Sequence, residues 1–245
     1  MTGHSLLFGP GVGRRRGALP MGERSETEAL RRALVRACHR LGELGLVQGT
    51  SGNVSVRRDG GLLITASGAP LAELTEHDVV AMRGDGSWRG AARPSTEWRL
   101  HRDLLAARPE IGAVVHTHSA YATALSCLRA PIPPFHYMVA IAGGTDIPCA
   151  EYATFGTEAL SQAALRALTG RSACLLANHG VVAVGSTLDE AVARAYEVEL
   201  LARQYAIVRS VGAPVLLDRA EMAEVLQRFA AYGRPPQDGR DGNTA

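Results

Sequence analysis

The run Val115-His116-Thr117-His118 ends an apolar stretch with two imidazoles two residues apart. In an extended strand, residues i and i+2 project from one face, so His116 and His118 stand side by side. A third imidazole, His179, closes another apolar run, Leu175-Leu176-Ala177-Asn178, and is followed by Gly180, where backbone and solvent can approach. If the two strand ends converge, three nitrogens and an open position result, the ligand pattern of catalytic zinc. Ordinary hydrogen bonding at a sheet edge is the competing use of such a pair. The segment Pro94-Ser95-Thr96-Glu97-Trp98-Arg99 reads as a loop entering a helix, with Ser95 or Thr96 as cap and Glu97 in the first turn. Glu97 there either complements the helix dipole or serves as a carboxylate for acid/base work. His101, four residues on, shares its helical face and reads as support or packing rather than as a ligand. His39 and His77 sit in polar helix and turn settings, and His4 belongs to the N-terminal tail.

The surrounding elements must bring these groups together. Ser25 with Glu28 fits a capping box; helical spacing continues through Leu30, Leu34, Ala37 and Leu41, with Gly45 as the stop. Two small-residue turns, Thr50-Ser51-Gly52-Asn53 and Thr65-Ala66-Ser67-Gly68, flank a predicted hairpin: Val54-Ser55-Val56, the Asp59-Gly60-Gly61 turn, then Leu62-Leu63-Ile64. Turns of this kind either simply reverse the chain or cradle an anion with backbone N–H groups and hydroxyls. The pattern predicts strands over 111–115, 172–177 and 181–184, and helices over 96–107, 157–168 and 189–208. Residues 1–24 read as a disordered tail with the run Arg14-Arg15-Arg16, and Met21 is an alternative start. Residues 234–245 form a second flexible tail, leaving one α/β domain over 25–233.

Composition removes whole classes of chemistry. The chain has 245 residues and a net charge of +2, and all 26 of its Lys+Arg residues are arginine. Without lysine there is no Schiff base, no lysine-anchored pyridoxal phosphate and no P-loop. A charge of +2 disfavours nucleic acid as partner, and no apolar run approaches the roughly 18–20 residues of a membrane span. The four cysteines, Cys38, Cys127, Cys149 and Cys174, are scattered and form no C-x-x-C. They read as buried, reduced thiols of a cytoplasmic protein.

In order along the chain come Gly45 to Arg57, with Gln48-Gly49-Thr50-Ser51-Gly52-Asn53; Leu63-Ile64-Thr65-Ala66-Ser67-Gly68; Ser95-Thr96-Glu97-Trp98-Arg99-Leu100-His101; and His116-Thr117-His118. Ile132-Pro133-Pro134-Phe135-His136-Tyr137-Met138, then Ile147 to Thr157 with Tyr152-Ala153-Thr154-Phe155-Gly156, and Asn178-His179-Gly180 follow. Together they resemble the class II aldolase/adducin family, most strongly its fuculose-1-phosphate aldolase branch, from about Leu30 to Gly233. The resemblance implies a single domain with a central, largely antiparallel sheet flanked by helices, and a homotetramer with active sites between subunits. It implies a reversible cleavage of a ketose 1-phosphate to dihydroxyacetone phosphate and an aldehyde, through an enediolate stabilised by Zn²⁺ or another divalent ion. By position, His116, His118 and His179 become metal ligands and Glu97 the acid/base. Thr50, Asn53, Ser67, Gly68, Ser95 and Thr96 become the phosphate site. Tyr137 matches a tyrosine reaching across the interface, and Phe155 and Tyr232 match aromatic positions near the aldehyde. Thr117 departs from an Asn, Thr96 from a Ser, and Asn178 from a residue often His or Gln. Within the family, the alternatives are a pentulose-phosphate 4-epimerase, which tends to carry Asp at Glu97, a 5-deoxypentulose-phosphate aldolase, and a methylthioribulose-phosphate dehydratase. An adducin-like binding module should have lost the ligands that are present.

Overall fold

The computed structural model describes residues 21–231. Seven strands form one sheet in the order β3-β2-β1-β4-β7-β6-β5. They are β1 (Asn53–Arg58), β2 (Gly61–Thr65), β3 (Val79–Arg83), β4 (Ala113–Thr117), β5 (Cys149–Ala150), β6 (Ala173–Leu176) and β7 (Gly180–Gly185). Every ladder is antiparallel except β5 with β6. The helices are α1 (Met21–Glu43), α2 (Trp98–Ala107), α3 (Ala120–Ser126), α4 (Glu158–Ala167), α5 (Leu188–Val211) and α6 (Arg219–Ala231).

Both sheet faces are covered, which is why the central strands are apolar without interruption rather than alternating. On β4, Ala113 and Val115 face a core built with α1, α3, α5 and α6, while Val114 faces a second core built with α2 and α4. The same parity runs through β7, where Val181 and Ala183 oppose Val182 and Val184, and through β6. Burying each such Val or Leu contributes about 1.5–3 kcal/mol, enough for this double core to hold polar groups in place at the strand ends.

The hairpin stands as expected, paired from Ser55↔Ile64 to Arg58↔Gly61, and the later helices and strands fall within a few residues of their predicted bounds. Three expectations are corrected. Helix α1 is already formed at Met21, so Ser25 lies a turn inside it and is not an N-cap; Met21, Glu23 and Arg24 are helix formers that carry the helix back past the serine. β4 starts at Ala113 rather than at residue 111 and includes His116 and Thr117 in its ladder. Ile111 instead closes a turn on Arg108, its N–H donating to that carbonyl at 3.1 Å. Only Cys38 and Cys174 of the cysteines are buried; Cys127 is exposed and Cys149 half-buried, and all four are unpaired. No helix among the described residues is long and apolar enough to cross a membrane.

Candidate active site

Strand parity places His116 on the face of Val114, toward α2 and α4, directly across the ladder from Asn53 of β1. His116 is fully buried. His118 follows just beyond the strand and is exposed, and His179 sits in the tight turn joining β6 to β7. That turn is pinned from below. The His179 N–H donates to Leu176 O at 3.0 Å and to Ser126 Oγ at 3.2 Å, and the Asn178 N–H donates to Ser126 O at 3.1 Å. Asn178 takes φ +53°, a conformation asparagine adopts more readily than most residues. Gly180 permits the close approach of the two strands. A Cβ there would lie 2.4 Å from Thr117 O and 3.0 Å from His118 Cδ2.

Glu97 immediately precedes α2, at the N-cap position, but its side chain does not cap the helix. The expected arrangement, with Ser95 or Thr96 as cap and Glu97 inside the first turn, is therefore corrected. Ser95 instead shapes a turn, its carbonyl accepting from Trp98 N–H at 3.0 Å and its Oγ from Glu97 N–H at 3.3 Å. This turn aims the buried Glu97 carboxylate at the sheet, where the imidazoles wait.

The result is one compact donor set. Ligand atoms of Glu97, His116, His118 and His179 all lie within 4.8 Å of one another, and the three rings pack edge-on with centroids 4.8, 4.8 and 4.9 Å apart. His116 Nδ1 is 2.9 Å from Val181 O; a carbonyl only accepts, so this nitrogen carries the ring proton and Nε2 presents a lone pair. That lone pair faces His118 Nε2 at 3.0 Å and Glu97 Oε2 at 3.1 Å. Glu97 Oε1, 3.4 Å from His179 Nε2, is buried with no hydrogen-bond partner among the described residues. Converging lone pairs repel unless a cation lies among them, and an orphaned buried carboxylate oxygen asks for the same thing. Three imidazoles and a carboxylate fit a divalent metal.

The electrostatics agree. Burial, reinforced by His116, lowers His179 to about 4 and holds His118 below the ordinary imidazole range. Both rings are therefore neutral near neutral pH. Burial alone raises the Glu97 carboxyl, but the neighbouring His116 and His179 rings and the hydrogen bond from Asn53 outweigh it, leaving a carboxylate well below its usual range.

Glu97, His118 and His179 line a cavity of about 370 Å³, within the range typical of small-molecule sites. Thr50, Asn53, Ser67, Gly68, Ser95 and Thr96 line the same cavity, as does Phe155. Among the described residues no arginine lines it, and the chain has no lysine, so an anion there meets hydroxyls and backbone N–H groups. Asn53 is buried, and its amide also serves the carboxylate, with Nδ2 donating to Glu97 Oε2 at 3.0 Å. Tyr137 is half-exposed, opens a 3₁₀ segment (Tyr137–Ala142), and does not line this cavity in its own chain. Tyr232 lies outside the described residues, as do residues 1–20 of the expected N-terminal tail and the expected C-terminal tail, 234–245.

Three features were not read from the sequence. Tyr152 and Asn178 also line the cavity, and Arg129 braces both: its Nε donates to Asn178 Oδ1 at 2.6 Å and its guanidinium lies 5.3 Å from the Tyr152 ring centre. Asparagine directly before His179-Gly180 was a usable turn signal. Nothing in the spacing pointed to Arg129, 49 residues from its partner.

Fold and site together define the class. Residues 32–206 match the Class II Aldolase and Adducin N-terminal domain, and the chain belongs to that family. Members of its aldolase branch use a divalent metal, as this donor set would allow. Among relatives, the 5-methylthioribulose-1-phosphate/5-deoxyribulose-1-phosphate aldolase of Rhodospirillum rubrum is 53% identical over 205 residues, covering 84% of this chain and 93% of that protein. The L-fuculose phosphate aldolase of Escherichia coli strain K12 is 45% identical over 209 residues, covering 85% and 97%. A solved L-fuculose 1-phosphate aldolase superposes with a TM-score of 0.79 at 40% identity, over 82% of this chain and 96% of that one.

Proposed function

We propose that this protein is a zinc-dependent aldolase that reversibly cleaves a 5-deoxypentulose 1-phosphate, or its 5-methylthio analogue, to dihydroxyacetone phosphate and an aldehyde. The observation that carries the reaction is the buried Glu97 carboxylate, with Oε1 unpartnered, set among three imidazoles at the edge of an anion-compatible cavity. The Rhodospirillum rubrum relative supports the substrate class. So does the rest of the lining: Tyr152, Ala153 and Phe155 offer an uncharged surface to a short carbon tail. L-Fuculose 1-phosphate, the substrate class expected from sequence, is the second reading, favoured by the Escherichia coli relative.

His116, His118 and His179 would hold the metal, with Glu97 beside them. When bound, a divalent ion supplies Lewis-acid stabilisation of the charge that carbon–carbon cleavage leaves on the ketone half. Thr50, Ser67, Gly68, Ser95 and Thr96 anchor the phosphate and thereby orient the scissile bond. Glu97 is held through Oε2, so Oε1 is the atom that moves a proton to the enediolate carbon in cleavage and removes it in synthesis. The same proposal extends to the assembly, a cytoplasmic homotetramer in which Tyr137, half-exposed and outside its own cavity, serves a neighbour's site by taking the hydroxyl proton as the aldehyde forms in cleavage and returning it to the aldehyde oxygen in synthesis.

The test is release of dihydroxyacetone phosphate by metal-quantified protein from 5-deoxyribulose 1-phosphate and from fuculose 1-phosphate, with and without chelator. Chelator-sensitive release restored by zinc, faster with the deoxypentulose, is the expected result. Release from fuculose 1-phosphate alone selects the second reading, and no release from either, with metal bound, removes the aldolase assignment.

A further inference from the structure

Behind Glu97 runs a buried chain of polar groups that the reaction as described does not use. His101, on the inward face of α2, is fully buried. Its Nε2 lies 2.5 Å from Asn53 Oδ1, and its Nδ1 lies 2.7 Å from Ser55 Oγ. Asn53 in turn reaches Glu97 Oε2 through Nδ2 at 3.0 Å. Ser55 and Asn53 are alternate residues of β1, so they point to the same face as His116.

The direction of every bond in this chain follows from its one fixed end. Glu97 is a carboxylate and can only accept, so the Asn53 atom facing it must be the NH₂ group. Oδ1 is then turned toward His101 and must receive a proton, so Nε2 of the imidazole is the donor. A neutral ring with its proton on Nε2 has a bare Nδ1, and the Ser55 hydroxyl donates to it. Burial favours the neutral ring, lowering the imidazole from its ordinary 6.5 to about 3. Were the ring turned over or charged, Asn53 Oδ1 would lose this donor or the Ser55 hydroxyl its acceptor, and a buried unmatched group costs about 1–3 kcal/mol.

We propose that His101 is a positioning residue: by donating from Nε2 to Asn53 Oδ1 it locks the Asn53 amide so that Nδ2 holds Glu97 Oε2 and leaves Oε1 free for proton transfer. Three residues thus fix which carboxylate oxygen is held and which works. The assignment of Oε1 rests on the aldolase reading above; the locked amide and tautomer do not.

Two measurements separate those claims. In ¹⁵N-histidine NMR of the metal-free protein, His101 is expected as a neutral ring protonated at Nε2; protonation at Nδ1, or an imidazolium at neutral pH, overturns the proposal whatever the enzyme cleaves. The second compares His101→Leu, similar in bulk but unable to donate, with His101→Gln, whose amide nitrogen reaches the place of Nε2. For metal-loaded enzyme, His101→Leu should lower kcat per bound metal by about 10–100-fold with KM little changed, the range typical of groups that orient a metal-site residue. His101→Gln should recover to within a few-fold of the parent. A His101→Leu protein with lower melting temperature or metal content but unchanged kcat per bound metal would show a merely structural role and overturn the inference. An inactive parent enzyme would instead defeat the aldolase reading, and the NMR result would still decide the locked amide.

Discussion

A cavity lies at each end of the sheet, and the larger of these two is not the one equipped for chemistry. Beyond the start of β4 and the end of β7, a cleft of about 1110 Å³ is lined by Arg36, Arg57, Arg58 and Arg102, and by Gly112 and Ser186. There Arg57 is engaged by backbone: Nε donates to Ile111 O at 2.8 Å, and Nη2 to Leu105 O at 2.6 Å and Arg108 O at 3.0 Å. Arg102 donates to Asp103 at 2.8 Å and Arg58 to the Asp59 carbonyl at 3.3 Å. At the opposite end, in a third of the volume, lone pairs converge and a buried carboxylate oxygen has no partner. Polar groups whose needs are met locally stabilise a fold. Polar groups held by the fold with their needs unmet are poised to bind and react.

That contrast sets what each end should lose on mutation. Glu97→Gln keeps the shape and the amide contact to Asn53 but removes the proton carrier. Cleavage should fall by about 10²–10⁴-fold, with a circular-dichroism spectrum like the parent's and metal still held by three histidines. Undiminished turnover would take Glu97 out of the mechanism. Arg57→Leu should do the reverse. It leaves the Ile111, Leu105 and Arg108 carbonyls without their guanidinium, costing about 2–4 kcal/mol and lowering the melting temperature by roughly 5–15 °C. The folded fraction should keep kcat within about two-fold, since no group near the donor set changes; a large loss of kcat per folded molecule would erase the distinction between the ends.

Local chemistry was legible in the sequence and long-range pairing was not. His116 and His118 were readable because strand periodicity alone puts them on one face, and His179-Gly180 because a glycine beside a histidine marks a close approach. The absence of lysine already pointed carbonyl chemistry toward a metal. In contrast, β3 escaped, although Val79-Val80-Ala81-Met82 is apolar, because a five-residue run between two turns has no periodicity of its own. Helix α3 has only seven residues and takes its N-terminal partner from far away: Tyr121 and Ala122 N–H groups both donate to Glu199 on α5 at 2.8 Å. The placement of Glu97 just outside α2 was likewise beyond reach, since what draws it off the helix is a set of imidazoles at least 19 residues away. Asn53 and His101, 48 residues apart, meet because α2 packs on the sheet face to which Asn53 of β1 points.

The smallest effect is expected at the rim, where the two kinds of region meet. Arg129 is exposed and takes φ +53°, as does Asn178, to which it donates at 2.6 Å while lying over the Tyr152 ring. Two non-glycine residues in the left-handed region, joined by one hydrogen bond, form a brace between the turn before His179 and the wall that carries Tyr152. Because water can replace an exposed hydrogen bond and a surface cation–π contact is worth about 0.5–1 kcal/mol, Arg129→Met should lower the melting temperature by no more than roughly 2–4 °C. Its larger signature should be kinetic. With Asn178 and Tyr152 freed, KM for the ketose phosphate should rise a few-fold while kcat stays near the parent value, as for a group that shapes uniform binding rather than the transition state. Equal losses in kcat and kcat/KM would place Arg129 with Glu97 on the reacting side of the comparison, and no change in either would make it one more satisfied arginine like those at the far end of the sheet.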